Sequence, residues 1–323
     1  MTEIIVGSNE AGQRLDKLLA KYLNQAPKSF IYKMLRKKNI KLNDKKAQGN
    51  EILKEKDCIK LFLADETISS FRNESKKAEC ITENVKLDII YQDNDVMFLN
   101  KPAGMLSQKA KASDVSLNEH LLSYLLKQNI LKDGELRNFT PSVCNRLDRN
   151  TSGLIMAGIS LKGLQVLSKA LKERSIQKYY VTIVKGVMKE PGRVEGYLIK
   201  DETRNTVVIQ KEKTESASYV LTEYEPLSDN GSYTLVKVHL ITGKTHQIRA
   251  CLAFAGYPVL GDRKYGDSFT NLSMQKEYSL KFQLLHSYEV VVPKDFPLCN
   301  LAGKTFRAPL PPQFLKMKKG LKL

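Results

Sequence analysis

In Asn145-Arg146-Leu147-Asp148-Arg149-Asn150-Thr151-Ser152-Gly153 one carboxylate stands between two guanidiniums, and the apolar run Leu154-Ile155-Met156-Ala157 follows at once. A nearby positive charge favours the ionised form of a carboxylate, so Asp148 is expected to stay anionic at neutral pH. The Asn-Thr-Ser-Gly that follows is turn chemistry: short polar side chains bond nearby backbone and glycine takes positive φ freely. Leu154 to Ala157 reads as a buried strand. Asp148 is therefore expected on a tight loop feeding a core strand, where a rigid scaffold can hold a reactive group. The plainer alternative is a structural Arg-Asp pair at a strand end, because ion-pair networks also perturb carboxylates.

A second candidate is Thr242-Gly243-Lys244-Thr245-His246-Gln247-Ile248-Arg249, which follows a strand pattern and opens an apparent helix with Ile248, Leu252 and Ala255 on one side. His246 and Arg249, three apart, share a face. Unpaired backbone donors at such a helix start, with Lys244 and Arg249, suit a phosphate or carboxylate partner; a capped surface helix is the bland alternative. Lys178-Tyr179-Tyr180 is either an ordinary strand start with half-buried tyrosines or a third contributor. Gly243-Lys244-Thr245 and Gly303-Lys304-Thr305 are not phosphate loops, because the glycine required five residues earlier is Val238 in one and Leu298 in the other. His120, His239, His246 and His286 show no metal-ligand spacing, which argues against metal catalysis. A glycosidase would need two positioned carboxylates, and the central loop offers one.

These residues must be positioned by a chain of 323 residues, long enough for two domains and, at 42% hydrophobic, able to bury a real core. Its formal charge of +17 points to a polyanionic partner, nucleic acid first and an anionic membrane second. No apolar run approaches the roughly 20 residues needed to span a bilayer. The N-terminus lacks a signal peptide's basic start and long apolar region. Five scattered cysteines without a C-x-x-C pair argue against a disulfide framework or zinc site, so a reducing cytoplasm is expected.

Residues 1–64 hold 14 Lys and Arg against 7 Asp and Glu, a large share of the charge in a fifth of the length. Leu15, Leu18, Leu19, Tyr22 and Leu23 follow the spacing of one helix face. A second helix is predicted from near Pro27 to Ser29, burying Phe30, Ile31, Met34 and Leu35 and presenting Lys33, Arg36, Lys37 and Lys38. Short strands at Ile40-Lys41-Leu42 and Ile59-Lys60-Leu61 complete an αα-β module. Residues 65–84 read as a polar linker. Beyond them, a hairpin (Leu87 to Leu99), a helix (Leu117 to Leu125), and strands and a helix alternating to Val292 predict an α+β domain over 85–312, its sheet mainly antiparallel. The basic residues 313–323 are expected to be a frayed tail.

The front module, through Arg14-Leu15-Asp16-Lys17-Leu18-Leu19, the basic second helix, Ile40-Lys41-Leu42-Asn43 and Asp57-Cys58-Ile59, resembles the small RNA-binding S-four domain, with Asn43-Asp44 where Asn-Gly is common. The resemblance implies RNA contacts from the helix pair, with Arg14, Lys33, Arg36, Lys37 and Lys38 as the candidates. Without aromatic platforms, phosphate and shape contacts are expected rather than reading of single bases. Farther on come Lys101-Pro102-Ala103-Gly104, Arg146 to Gly153, Lys178-Tyr179-Tyr180 with Gly186, Thr242 to Arg249, Tyr257-Pro258-Val259-Leu260-Gly261-Asp262 and Ala308-Pro309-Leu310-Pro311. In that order they resemble the RluA-type pseudouridine synthases over about residues 85–312, and the whole layout resembles the bacterial enzymes that modify large-subunit ribosomal RNA. Asn145 where His is usual, Lys244 where Arg is usual and Cys251 where His often follows are departures.

Carried over by position, the resemblance implies Asp148 as catalytic aspartate, Tyr180 as active-site tyrosine and Arg249 as the arginine paired with the aspartate. Arg146, Thr151, Lys244, His246 and Gln247 are the implied substrate-binding residues. The expected activity is isomerisation of uridine to pseudouridine in RNA, large-subunit ribosomal RNA first and transfer RNA as the rival. A noncatalytic RNA-binding assembly factor is the alternative from another class. The reaction breaks the nitrogen-to-ribose bond, turns the uracil and rejoins it through carbon. It needs no redox step and no outside atom, so no cofactor and no metal are expected. RNA is the expected partner, with no membrane and a monomeric enzyme. Asp148 has three open routes at this level: bonding to ribose, adding to the base, or taking a ribose proton.

Overall fold

The computed structural model describes residues 1–7, 10–72, 86–131, 139–201, 203 and 205–323. The first part runs β1 (Thr2–Ile5), α1 (Leu15–Tyr22), α2 (Lys28–Arg36), β2 (Ile40–Leu42), β3 (Lys45–Lys46), β4 (Cys58–Leu61) and α3 (Asp65–Phe71). Its sheet has the order β1-β4-β2-β3, every pair antiparallel. Leu15, Leu18 and Leu19 of α1 and Ile31, Met34 and Leu35 of α2 are buried against Ile40, Ile59 and Leu61. Both helices thus follow their apolar stripe. Between β2 and β3, Asn43 (φ 50°) and Asp44 (φ 62°) both take left-handed backbone, which short polar side chains tolerate in a two-residue hairpin turn.

The larger part continues with β5 (Ile89–Gln92), β6 (Val96–Lys101), α4 (Leu117–Lys127), β7 (Ser142–Val143), β8 (Ser152–Gly158), α5 (Leu161–Glu173) and β9 (Gln177–Lys185). Then come β10 (Gly192–Asp201), β11 (Thr206–Gln210), β12 (Ser218–Asp229), β13 (Tyr233–Leu240), α6 (Gln247–Phe254), α7 (Ser268–Tyr278), β14 (Leu285–Val291), β15 (Thr305–Arg307) and α8 (Pro312–Gly320). The strands form one 11-stranded sheet in the order β11-β10-β12-β13-β9-β14-β8-β6-β5, with β15 on β14 and β7 on β8. Among these pairings only β14 with β8 is parallel, in keeping with the expected α+β architecture.

Burial makes β8 the middle of the domain, since all seven of its residues are inside. Strand side chains alternate between faces. Ile155 and Ala157 join Met97, Leu99 and the α4 leucines on one side, while Leu154 and Met156 join Val96, Phe98, Leu167 of α5 and Phe306 on the other. Each such side chain removed from water contributes roughly 1.5–3 kcal/mol. Gly153, at the start of β8, has φ 109°, and a Cβ there would collide with the Ser287 backbone of β14. Only glycine permits the close parallel approach that puts the loop before β8 beside β9 and β14.

Two stretches expected to be irregular are helices. Within the expected linker, Asp65–Phe71 is α3, with Ile68 buried in the front core and the Phe71 ring tilted against Phe30, centroids 4.6 Å apart. The rest of that linker, 73–84, lies outside the described residues. The expected frayed tail is α8, started by Pro312, with Phe314 and Met317 buried beside Val181, Ile183 and Leu235. Apolar residues at i, i+3 and i+7 (Phe314, Met317, Leu321) dock it despite its lysines. Strands β1 and β10 and helix α7 had no counterpart in the sequence reading.

Candidate active site

The loop that carries Asp148 is tied down on all sides. Asn145 Oδ1 accepts the Met156 N–H at 2.8 Å, which makes this side chain a brace between the loop and β8. Buried Ser107 exchanges hydrogen bonds with Leu147, accepting its N–H and donating to its carbonyl. The Thr151 N–H closes a turn onto the Asp148 carbonyl at 3.1 Å. Lys101, fully buried, donates from Nζ to the carbonyls of Pro102, Met105 and Arg149 at 3.0, 2.8 and 3.0 Å. Burial pulls its pKa down to about 7, opposed by the charge of Asp148. Three acceptors call for three N–H donors, which only the ammonium form has.

Arg249 meets this loop from the first turn of α6. Its Nη1 donates to Asp148 Oδ2 at 2.8 Å, while Nε and Nη2 grip both oxygens of Asp262 at 2.6 and 2.7 Å. Among the described residues this is the ion pair of Asp148; the neighbours Arg146 and Arg149, from which the sequence reading inferred its charge environment, are exposed instead. A cation in the first helical turn opposes the helix dipole. Burial lowers the Arg249 pKa, but the hydrogen bonds and charges of Asp262 and Asp148 outweigh it and raise the pKa above the ordinary value. Asp262 is itself fully buried and also accepts the backbone N–H groups of Lys264 and Tyr265.

Tyr180 enters from β9, almost fully buried, its phenol bonded to Ser287 and its pKa pushed up to about 12 by burial. It stays protonated at neutral pH. His246, in left-handed backbone (φ 55°), bonds through Nδ1 to the Tyr265 hydroxyl at 2.9 Å. The same hydroxyl accepts the Val207 N–H at 2.8 Å, which ties His246 and Tyr265 to the start of β11. Burial lowers the His246 pKa, with Asp148 opposing.

Around these groups opens a cavity of about 800 Å³, lined by Arg146, Asp148, Thr151, Tyr180, Lys244, His246, Gln247 and Arg249 among others. Every site residue expected in this domain therefore meets the same space. Two of them have their polar groups engaged elsewhere. Gln247 spends its whole carboxamide on Thr242, Lys244 N–H, the Leu221 carbonyl and Thr222, and the Thr151 hydroxyl accepts from Gln283 at 2.9 Å. Both also hold the walls in shape, and the Thr151 hydroxyl keeps its own proton for a further acceptor. Among the described residues no group of three His, Cys, Asp or Glu is placed to hold a metal ion.

A family model described as RNA pseudouridylate synthase matches residues 95–254, the span that contains the loop, Tyr180 and Arg249. An uncharacterized RNA pseudouridine synthase of Mycoplasma genitalium, MG370, is 31% identical over 97% of this chain and 97% of its own. The chain belongs to the RNA pseudouridylate synthase family. Ribosomal large subunit pseudouridine synthase D of Borreliella burgdorferi is 30% identical, covering 84% of this chain and 80% of that one. The fold agrees: human RNA pseudouridylate synthase domain containing 4 superposes with a TM-score of 0.57 over 73% of this chain and 93% of that one, at 22% identity.

This pseudouridine synthase is thus an isomerase acting on RNA. Sequence reasoning missed Asp262, Tyr265 and Lys101 as parts of its site. Asp262 was visible in Gly261-Asp262, yet nothing local marks it as the second carboxylate on Arg249. In the front module Lys33, Arg36, Lys37 and Lys38 are exposed, whereas Arg14 is held by Asp16 through two bonds of 3.0 Å, with Tyr32 donating to the same carboxylate. Arg14 is exposed too, with Asp16 as its ion-pair partner.

Proposed function

We propose that this enzyme isomerises uridine in large-subunit ribosomal RNA, with Asp148, Tyr180 and Arg249 carrying the chemistry. The observation that carries the reading is Arg249 bridging Asp148 and buried Asp262 at the wall of the cavity that Tyr180 shares. Isomerisation moves the ribose bond from a ring nitrogen to a ring carbon; that carbon gives up a proton and the nitrogen gains one, so atoms balance without an outside reagent. The protein must hold a carboxylate at the electron-poor sugar carbon or the base, keep the freed uracil in place while it turns, and move one proton.

Asp148 supplies the carboxylate, and Arg249 fixes its direction because Asp262 leaves the guanidinium one orientation. Tyr180 lies against the base and, protonated to about pH 12, serves as hydrogen-bond donor through the proton step. His246 offers its imidazole edge, and Arg146 and Lys244 offer charge, to the flipped nucleotide. Extracting the base from a helix costs on the order of a few kcal/mol. Contacts along the RNA backbone offset this, and the formal charge of +17 supports them.

The S-four resemblance of the front module, its exposed α2 cations and the name of the Borreliella relative support ribosomal RNA as the substrate. Pseudouridine mapping of ribosomal and transfer RNA from cells with and without this protein tests the reading. Loss of a pseudouridine from the large-subunit RNA is expected; loss from transfer RNA alone would overturn the substrate.

A further inference from the structure

The cavity holds more positive charge than its carboxylate requires. Among the described residues it is lined by Arg146, Arg149, Arg174, Lys178, Lys244 and Arg249 against the single carboxylate Asp148. Arg249 is neutralised by Asp148 and Asp262. Lys178 has no such partner among the described residues: it is half-buried, and its pKa is drawn down by burial and by the neighbouring charge of Arg174. Its ammonium nestles against the turn after β13, 3.8 Å from where a Cβ on Gly243 would stand. Arg174 ends α5 in left-handed backbone (φ 60°), exposed at the same wall.

An ammonium withdrawn from water, facing a second cation and lacking an acid, is a costly arrangement that an anion relieves. RNA supplies one anion at every step, the phosphodiester, whose two free oxygens accept from an ammonium and a guanidinium together. Lys178 and Tyr180 are two apart on β9 and both line the cavity, so their Cα atoms stand roughly 7 Å apart. We propose that Lys178 and Arg174, against the Gly243 turn, form a seat for the phosphodiester adjoining the target uridine. This rests on the target base lying against Tyr180, as argued above. Occupying the seat anchors the RNA one nucleotide from the reacting base and compensates the positive charge at this wall.

The test titrates transcribed large-subunit ribosomal RNA against wild type, Lys178→Gln, Lys178→Arg and Arg174→Asn over a salt series, with pseudouridine formation measured in parallel. Asn suits the left-handed position of Arg174, an exposed site whose replacement leaves folding intact. Removing one cation from a phosphate weakens binding about tenfold and lowers the slope of log affinity against log salt by about 0.7. Lys178→Gln and Arg174→Asn should each show that weakening, and Lys178→Arg should restore the slope. A merely structural role would shift melting temperature and leave the slope alone. Slopes equal to that of wild type in both Lys178→Gln and Arg174→Asn overturn the seat, with or without product. Lowered slopes in a protein that forms no pseudouridine would keep the seat and refute the isomerase assignment of this cavity.

Discussion

Asp148 is a partly exposed carboxylate whose direction is set by a guanidinium that cannot turn, because Asp262 holds its other edge. Replacing Asp262 with Asn preserves shape and removes that charge. A displacement of Arg249 by about 1 Å is enough to lower kcat on the order of 100-fold, so Asp262→Asn should lose turnover while RNA affinity stays near wild type; steady-state kinetics against a binding titration separates the two. Lys101 makes a pH prediction. Its folded pKa of about 7 lies below the ordinary lysine value of 10.5, so between those limits the unfolded chain binds more protons than the folded one. The penalty of burying the ammonium is fully present below pH 7 and is relieved as pH rises toward 10. Melting curves of wild type and Lys101→Met across that window should show the difference shifting in favour of wild type; a constant difference contradicts the assignment. At this scale Asp148, Tyr180 and Arg249 were legible by residue type and order. Asp262 and Lys101 were not, because a carboxylate bonded to an arginine 13 residues away and a lysine buried under its own loop are created by tertiary contacts.

At the scale of elements, β8 and its loop organise the catalytic domain. Gly153 lets β14 pair in parallel with β8, which brings Ser287 opposite both Gly153 and Tyr180. Gly153→Ala, facing both a positive φ and the Ser287 backbone, should destabilise the fold by several kcal/mol and disturb Tyr180, seen as a lowered melting temperature with reduced turnover in whatever folds. An unchanged melting temperature would show that the approach is looser than described. Long apolar or alternating runs such as Leu154-Ile155-Met156-Ala157 and Thr234 to Leu240 announced their strands. Strand β10 did not, because its period-two pattern, Val194, Gly196, Leu198, is diluted by glycine and flanked by Arg193, Glu195 and Lys200. Helices α3 and α8 escaped notice because each is short and docks by only two or three apolar positions set among charged and polar residues.

For the whole molecule, charge and architecture work together: a compact basic module precedes a catalytic domain whose cavity is itself cationic. The exposed cations of α2 and its end, Lys33, Arg36, Lys37 and Lys38, stand apart from the core residues on the module's other face. Replacing all four with Gln should leave melting unchanged and weaken RNA binding, with the salt slope falling by about 0.7–0.9 for each phosphate no longer neutralised. A slope equal to that of wild type would remove this face from the RNA interface. The sign of the partner was legible from composition, and the mixed helix-and-strand architecture with its mainly antiparallel sheet from the order of elements. The share each part takes in binding was not, because charge counts carry no geometry.

For Asp148 the proposed role is performing the isomerisation rather than holding the fold. Its removal is most direct as Asp148→Asn, which keeps size and one hydrogen-bond acceptor for Arg249. This variant should bind RNA with near wild-type affinity, and mass spectrometry of the treated RNA should find no pseudouridine above background. Normal pseudouridine formation by Asp148→Asn would contradict it.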